Sequence, residues 1–200
     1  MKVLAIEISS AAGSIAVAEN GSLAAERRFA CERGRGAEVF AALEATRHAW
    51  KGARIIAVGI GPGSYNGLRV ACSIANSLQM ATGAEIRLSP SPCIVPTDEM
   101  RFIVCGDARG GRAYRAEVSG RRLCGEIALL PYAEATALAE GGTPVFRVGP
   151  LPGGESMPES APDAGVLALL AADLPPLDKP TIEPIYLKPP HITLPRQAAA

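Results

Sequence analysis

The apolar positions of this chain fall into short runs with a recurring order. Val3-Leu4-Ala5-Ile6 predicts a buried strand over 2–8, and Ser14-Ile15-Ala16-Val17-Ala18 a second. Asn20-Gly21 is a hairpin turn into a third strand at 22–30. A loop with Gly34 and Gly36 follows. The period then changes from two to about 3.6. Val39, Phe40, Leu43 and Trp50 share one side of a helix over 37–50. Ile55, Ile56, Val58 and Ile60 form a strand over 54–60. Ala71, Ile74, Ala75 and Leu78, three and four apart, predict a helix over 67–82 ended by Gly83, with a short strand at Ile86-Arg87-Leu88 behind it.

The order then restarts. Strands are expected at 101–106, 112–118 and 122–129, with Ser119-Gly120 turning between the last two. A helix is expected over Tyr132 to Glu140, a strand at 144–148, and a helix over 163–173 capped by Asp163. Residues 1–97 and 98–200 thus read as two halves, each β-β-β-α-β-α. This duplication suggests an α/β fold of two ribonuclease-H-like halves, the architecture of actin, sugar kinases and Hsp70-type ATPases. Pro90, Pro92 and Pro96 read as an extended linker between the halves. Pro150, Pro152, Pro158 and Pro162, with Gly153 and Gly154, read as a mobile loop. From Pro175 the chain is expected to run as an extended arm that frays at Gln197 to Ala200.

Between the strand at 54–60 and the helix at 67–82 lies Gly61-Pro62-Gly63-Ser64-Tyr65-Asn66-Gly67-Leu68-Arg69. The glycines supply backbone angles barred to other residues, Pro62 fixes one φ, and Ser64 or Asn66 can cap the helix. Free N–H groups at a helix start attract phosphate, which makes a nucleotide loop one reading. The spacing counts against it. Leu68-Arg69 replaces the Lys-Ser/Thr of a Walker loop, and the last glycine comes one residue too late for a dinucleotide fingerprint. The other reading is a tight turn that lets the helix pack closely on the sheet.

Composition narrows the chemistry. The 200 residues are 48% hydrophobic, with 20 basic and 20 acidic side chains and no basic tract, so tight binding of RNA by this chain alone is not expected. No apolar run is long enough for a membrane span and the N-terminus lacks signal-peptide character, which together suggest a cytoplasmic protein. The five cysteines are scattered without a Cys-x-x-Cys pair and imply neither a zinc site nor a disulfide framework. Two histidines leave little acid–base or metal chemistry. His48, beside Glu44 at helical spacing, reads as a surface contact, and no cofactor is expected. Ser64 sits on a sharp turn, but Asn66 occupies the place where a nucleophile elbow needs glycine.

Glu7 and Asp107 end the first strands of the two halves. Facing across a kinase-like cleft, they could hold a magnesium nucleotide, which would make the chain a small ATPase or kinase. Alternatively, Glu7 caps the turn at Ser9-Ser10 and Asp107 pairs with Arg109 or Arg112.

The turn at 61–69 resembles the Gly-Pro-Gly-Ser-Phe-Thr-Gly-Leu/Ile-Arg signature of the bacterial TsaB family. Val3 to Ser10 followed by Ser14 to Val17 is similar to that family's first two strands. Asp107-Ala108-Arg109-Gly110-Gly111-Arg112-Ala113-Tyr114 resembles its Asp-Ala-Arg-x-Gly-x-x-Tyr stretch, and Pro184-Ile185-Tyr186-Leu187-Lys188-Pro189-Pro190 its closing motif. The chain departs from the family at Glu7, where Asp is usual, at Tyr65-Asn66, where Phe-Thr is usual, and in a short segment after Trp50. A Pro-rich linker also stands where a helix would follow the first half.

The resemblance implies a non-catalytic partner in threonylcarbamoyl modification of tRNA adenosine beside the anticodon. Such a protein pairs with a TsaD-like catalytic subunit through helices of the first half. A TsaE-like ATPase joins the pair, tRNA is met only through the complex, and the chain alone is expected to form a homodimer. Val39, Leu43, Ala71, Ile74, Ala75 and Leu78 are the positions expected at that interface, with part of their stripe left uncovered by the chain's own domain.

Overall fold

A computed structural model describes residues 1–31, 36–137, 142–179 and 181–188. The first sheet has five strands, β1 (Lys2–Glu7), β2 (Ala12–Glu19), β3 (Ser22–Ala30), β4 (Ile55–Gly59) and β5 (Glu85–Ser89), in the order β3-β2-β1-β4-β5. β1 to β3 are antiparallel neighbours, and β1, β4 and β5 are parallel. Asn20 and Gly21 both take positive φ (52° and 82°), the two-residue turn whose twist matches flanking strands.

The central strands are apolar on both faces. Leu4, Ile6, Ile15, Val17, Ile56 and Val58 face one core, and Val3, Ala5, Ala16, Ala18, Ile55 and Ala57 face the other. On the first face lie α1 (Ala37–Ala45), α2 (Arg47–Trp50) and α3 (Tyr65–Thr82). The helix expected over 37–50 breaks at Thr46, whose buried hydroxyl donates to the Ala42 carbonyl at 2.8 Å. The loop expected around Gly34 lies outside the described residues.

The second face is covered by α5 (Ala164–Leu170), which packs Ala164, Leu167 and Ala168 against β1, β2 and β4, with Ala171 of the following 3-10 turn in the same core. By chain order this helix was expected with the second half, yet it packs on the first sheet. The alanines of both surfaces let helix and strands approach closely. Asp163 caps the helix as expected, its Oδ1 accepting from the Gly165 and Val166 N–H groups.

The second sheet contains β6 (Arg101–Asp107), β7 (Arg112–Ser119), β8 (Arg122–Leu123), β9 (Ala128–Pro131) and β10 (Val145–Val148). Its order is β10-β6-β7-β8, with β9 also on β7. Around β6 the pairing repeats that around β1, with an antiparallel neighbour on one side and a parallel one on the other. The single strand expected over 122–129 is two short strands. Positive φ falls at Gly120 and Arg121, one residue later than the Ser119-Gly120 turn expected. α4 (Tyr132–Ala135) begins where a helix was expected, and that expectation's end, from 138, lies outside the described residues.

Two Pro-rich stretches differ from expectation. Where an extended linker was expected, residues 91–95 are buried and include a 3-10 turn over Ser91–Ile94. Ile94 packs in the core under α5, while Cys93 and Val95 pack against Phe102, Val104 and Val118 of the second sheet. Arg121 reaches the Val95 and Thr97 carbonyls and so fastens this crossover to β7 and β8. In the 150–162 loop, Leu151 and Met157 are buried, and the Pro158 carbonyl accepts from the Arg147 N–H of β10 at 2.9 Å.

Candidate functional site

β4 delivers the chain into the Gly-Pro-Gly turn, and α3 leaves it. Gly61 has φ 88° and precedes a cis Pro62. The Ser64 hydroxyl caps α3 by accepting from the Gly67 N–H at 3.3 Å, while the Ser64 N–H donates to the Ser9 carbonyl at 2.6 Å. A Cβ on Gly63 would lie 2.1 Å from the Ser9 carbonyl oxygen, and one on Gly67 would lie 2.0 Å from that of Ile8. Gly63, just before the Ser64 cap, and Gly67, in the first turn of α3, thus both lie against the β1–β2 connection. Their absent side chains make the close approach possible. The tight-turn reading accounts for both positions, and Ser64, held as a cap, is not arranged as a nucleophile.

Glu7 is fully buried at the end of β1. Its Oε1 accepts from the Ser9 N–H at 2.6 Å, and its Oε2 from the Ser91 hydroxyl at 2.8 Å. Ser91 Oγ in turn accepts from the Gly61 N–H at 2.9 Å, and the Ser91 N–H donates to the Gly61 carbonyl. One carboxylate thus joins β1, the buried crossover and the turn before α3. Burial raises its pKa above the usual carboxylate range, although the bonds from Ser9 and Ser91 favour the charged form. A Cβ on Gly59 would fall 1.7 Å from Oε2, so the missing side chain there leaves the room this carboxylate occupies. Both carboxylate oxygens are thus engaged in holding the turn.

Asp107, at the end of β6, is exposed. Its Oδ1 accepts from the Arg109 N–H at 2.7 Å and from the Tyr132 hydroxyl at 2.9 Å. The cap expected at Ser9 and the contact expected at Arg109 are thus both present, the second through the backbone. The buried ring of Tyr114 packs on Gly106, whose Cβ would be 2.4 Å from the ring. Burial raises the pKa of this phenol, with smaller contributions from Cys105 and Glu7. Among the described residues no group of three His, Cys, Asp or Glu side chains is placed to hold a metal. The Glu44–His48 contact is absent, and Glu44 instead lies 3.4 Å from Arg47.

The arm after α5 crosses the seam between the sheets. Its Leu177 N–H donates to Ile86 of β5, and Ile182 is buried in the core beneath α3. The Ile185 N–H donates to the Ile60 carbonyl at 2.8 Å. Tyr186 lies against Tyr65 with ring centroids 5.0 Å apart, and the Arg69 guanidinium sits 5.5 Å from the Tyr65 ring centre. Lys188 donates to the Ala108 and Arg109 carbonyls at 3.1 and 2.7 Å. The arm therefore links the turn at 61–69 to the loop at 107–112.

The expected interface stripe belongs to the chain's own core. Val39, Leu43, Ala71, Ile74 and Ala75 are buried against the first sheet and Leu78 is partly buried, because their spacing tracks the face turned toward the strands. Phe40, expected inside, is 58% exposed, and Met80 on α3 is 88% exposed. An outward face thus exists on these helices, but other residues form it.

The residues missed from sequence are Ser91, hidden among prolines, and the arm positions Ile185, Tyr186 and Lys188, whose role depends on contacts distant in the chain. The Ser91 hydroxyl between Pro90 and Pro92 was the available signal, since a polar group in an otherwise apolar buried stretch needs a partner.

Residues 37–88, from α1 through β5, match the TsaD family, described as tRNA N6-adenosine threonylcarbamoyltransferase. No curated protein matches the chain by sequence. Two solved structures share its fold over nearly their whole length. One is described as an uncharacterized protein with similarity to peptidase YeaZ from Pseudomonas aeruginosa; it has 20% identity and TM-score 0.76, and the alignment covers 94% of this chain and 99% of that one. The other is YeaZ from Pseudomonas aeruginosa, with 24% identity, TM-score 0.70 and coverage of 93% and 99%.

Proposed function

We propose that this chain is a TsaB-type partner subunit in the threonylcarbamoyl modification of tRNA adenosine, pairing with a TsaD-like catalytic subunit and performing no chemistry alone. The observation that carries the reading is the turn at 61–69. It lies inside the segment that matches the TsaD family, within a chain whose fold follows YeaZ from end to end. The geometry around the turn favours a scaffold. The Ser64 cap, the Gly63 and Gly67 contacts and the Glu7–Ser91 link fix the start of α3 against the sheet. They thereby set the orientation of the helical face on that side.

The partner docks on the outer face of α1 and α3, where Phe40 and Met80 present apolar surface to solvent. In the absence of a partner, a second copy of the chain is the natural occupant of the same face. The TsaE-like ATPase joins the assembled pair. The engaged state of Glu7 and the hydrogen bonds held by Asp107 favour this role over an ATPase or kinase built on the two acids.

Co-expression with the TsaD-like protein of the same genome tests the reading. A stable complex that restores the modification to tRNA lacking it is expected. Separate elution of the two proteins, with no modification restored, would remove the proposal.

A further inference from the structure

The chain has no net charge, yet one edge of the seam gathers cations and aromatic rings. Arg69, Arg109, Arg112 and Lys188 are exposed there, as are Tyr65 and Tyr186. All but Arg112, whose guanidinium donates to the Leu129 carbonyl of β9 at 2.8 Å, are linked in space. Arg69 lies over Tyr65, Tyr65 against Tyr186, and Lys188 on the carbonyls of the loop that carries Arg109 and Arg112. Among the described residues none of these four cations is in an ion pair. Two nearby carboxylates are engaged: Asp107 with the Arg109 N–H and the Tyr132 hydroxyl, and Glu183 with Lys179.

We infer that this edge is an RNA-contact surface of the assembled complex, with Tyr65 and Tyr186 stacking on unpaired bases and the four cations meeting phosphates. The inference rests on the role proposed above and adds to it the place where RNA touches this subunit. Exposed aromatic rings beside arginine are the combination that holds unpaired bases, since every base offers a stacking face. Unpaired cations next to them neutralise the backbone between those bases. An acidic protein would also be drawn to the cations, but the aspartate and glutamate side chains that draw it have no ring to stack on the two tyrosines. Four cations give weak binding at physiological salt, which fits a surface that works only beside a catalytic subunit.

The test uses the reconstituted complex with an unmodified tRNA transcript. Ultraviolet cross-linking should mark peptides containing Tyr65 or Tyr186. Arg69→Glu with Arg109→Glu should raise KM for tRNA at least tenfold and leave kcat within twofold. It should also reduce the slope of log affinity against log salt by about 1.4, two contacts at the single-strand value. Arg69→Gln with Arg109→Gln, which adds no acid, should move KM in the same direction, and Tyr65→Phe should retain the stacking. An active complex with unchanged KM and no cross-link at either tyrosine would overturn the inference and leave the proposed function standing. Charge reversal that prevents assembly with the catalytic subunit would make this edge a protein interface instead. Failure of the unmodified chain to form any complex would overturn both.

Discussion

Ser91 donates its hydroxyl proton to Glu7 at 2.8 Å while accepting from the Gly61 N–H at 2.9 Å, so a serine of the crossover mediates between the first strand and the turn before α3. This arrangement has a pH signature. Burial raises the Glu7 pKa in the folded chain above its ordinary value of 4.5. The folded state therefore holds this proton more tightly than the unfolded state. The Glu7 contribution to stability is largest below the unfolded pKa, and it falls as pH rises through the window up to the raised folded pKa. Glu7→Gln should abolish that dependence. Urea unfolding across this window should give a wild-type-minus-variant difference that declines with pH and then becomes flat. A difference that grows with pH would contradict the assignment.

The glycines of the turn give a steric prediction. Gly63→Ala or Gly67→Ala places a methyl group about 2 Å from a backbone oxygen that cannot rotate away. Each should cost at least about 2 kcal/mol of stability, read by urea unfolding. Gly52→Ala, by contrast, meets open space, and its cost should be limited to the strain of its φ of 80°.

Asp163 has two tasks. It caps α5 through Oδ1 and meets Arg28 of β3 through Oδ2, at 3.1 Å from the guanidinium Nε. Asp163→Ala should cost about 1–2 kcal/mol for the cap, and Asp163→Asn should recover most of it. Thermal unfolding of the two variants separates the cap from the ion pair.

The arm should stabilise the seam. Truncation after residue 183, which keeps the buried Ile182, removes the Ile185–Ile60 bond, the Tyr186 contact and the Lys188 bonds. Hydrogen exchange should accelerate at amides of the 107–112 loop and around the turn at 61–69, while the interior of β1 and β4 stays protected. Unchanged exchange at both loops would mean that the arm lies on the seam without holding it.

Much of this was legible from residue periodicity. Strand alternation, Asn20-Gly21 and the Asp163 cap located most elements. The 3.6-residue spacing found α3 with its start displaced by two residues, because Ser64 rather than a later residue is the cap. The same spacing put mostly core positions in the expected interface stripe and left Leu78 half-buried. Period marks the apolar face of a helix but not which body covers it, and Ala71, Ile74 and Ala75 are covered by the chain's own sheet. The position of α5 was also hidden, since chain order says nothing of which sheet a helix returns to. A signal did exist in the alanines at 5, 16, 18 and 57, which leave a shallow strand surface that a close-packing helix can fill. Ser91 and the arm depend on contacts across thirty residues or more, where no local pattern reaches.

Ile74→Glu now has a definite outcome. Ile74 is 7% exposed and packed in the core, so a glutamate there would be buried without a partner and should unfold the chain rather than free a monomer. Circular dichroism should report lost structure at 25 °C.

The central claim is association through the outer face of α1 and α3, and size-exclusion chromatography with the TsaD-like subunit tests it most directly. The wild-type chain should co-elute with that subunit. Phe40→Glu with Met80→Glu, both at exposed positions, should leave the chain folded at its wild-type melting temperature but eluting apart from the subunit. Co-elution of this folded variant would place the contact elsewhere, and separate elution of the wild-type chain would contradict the account itself.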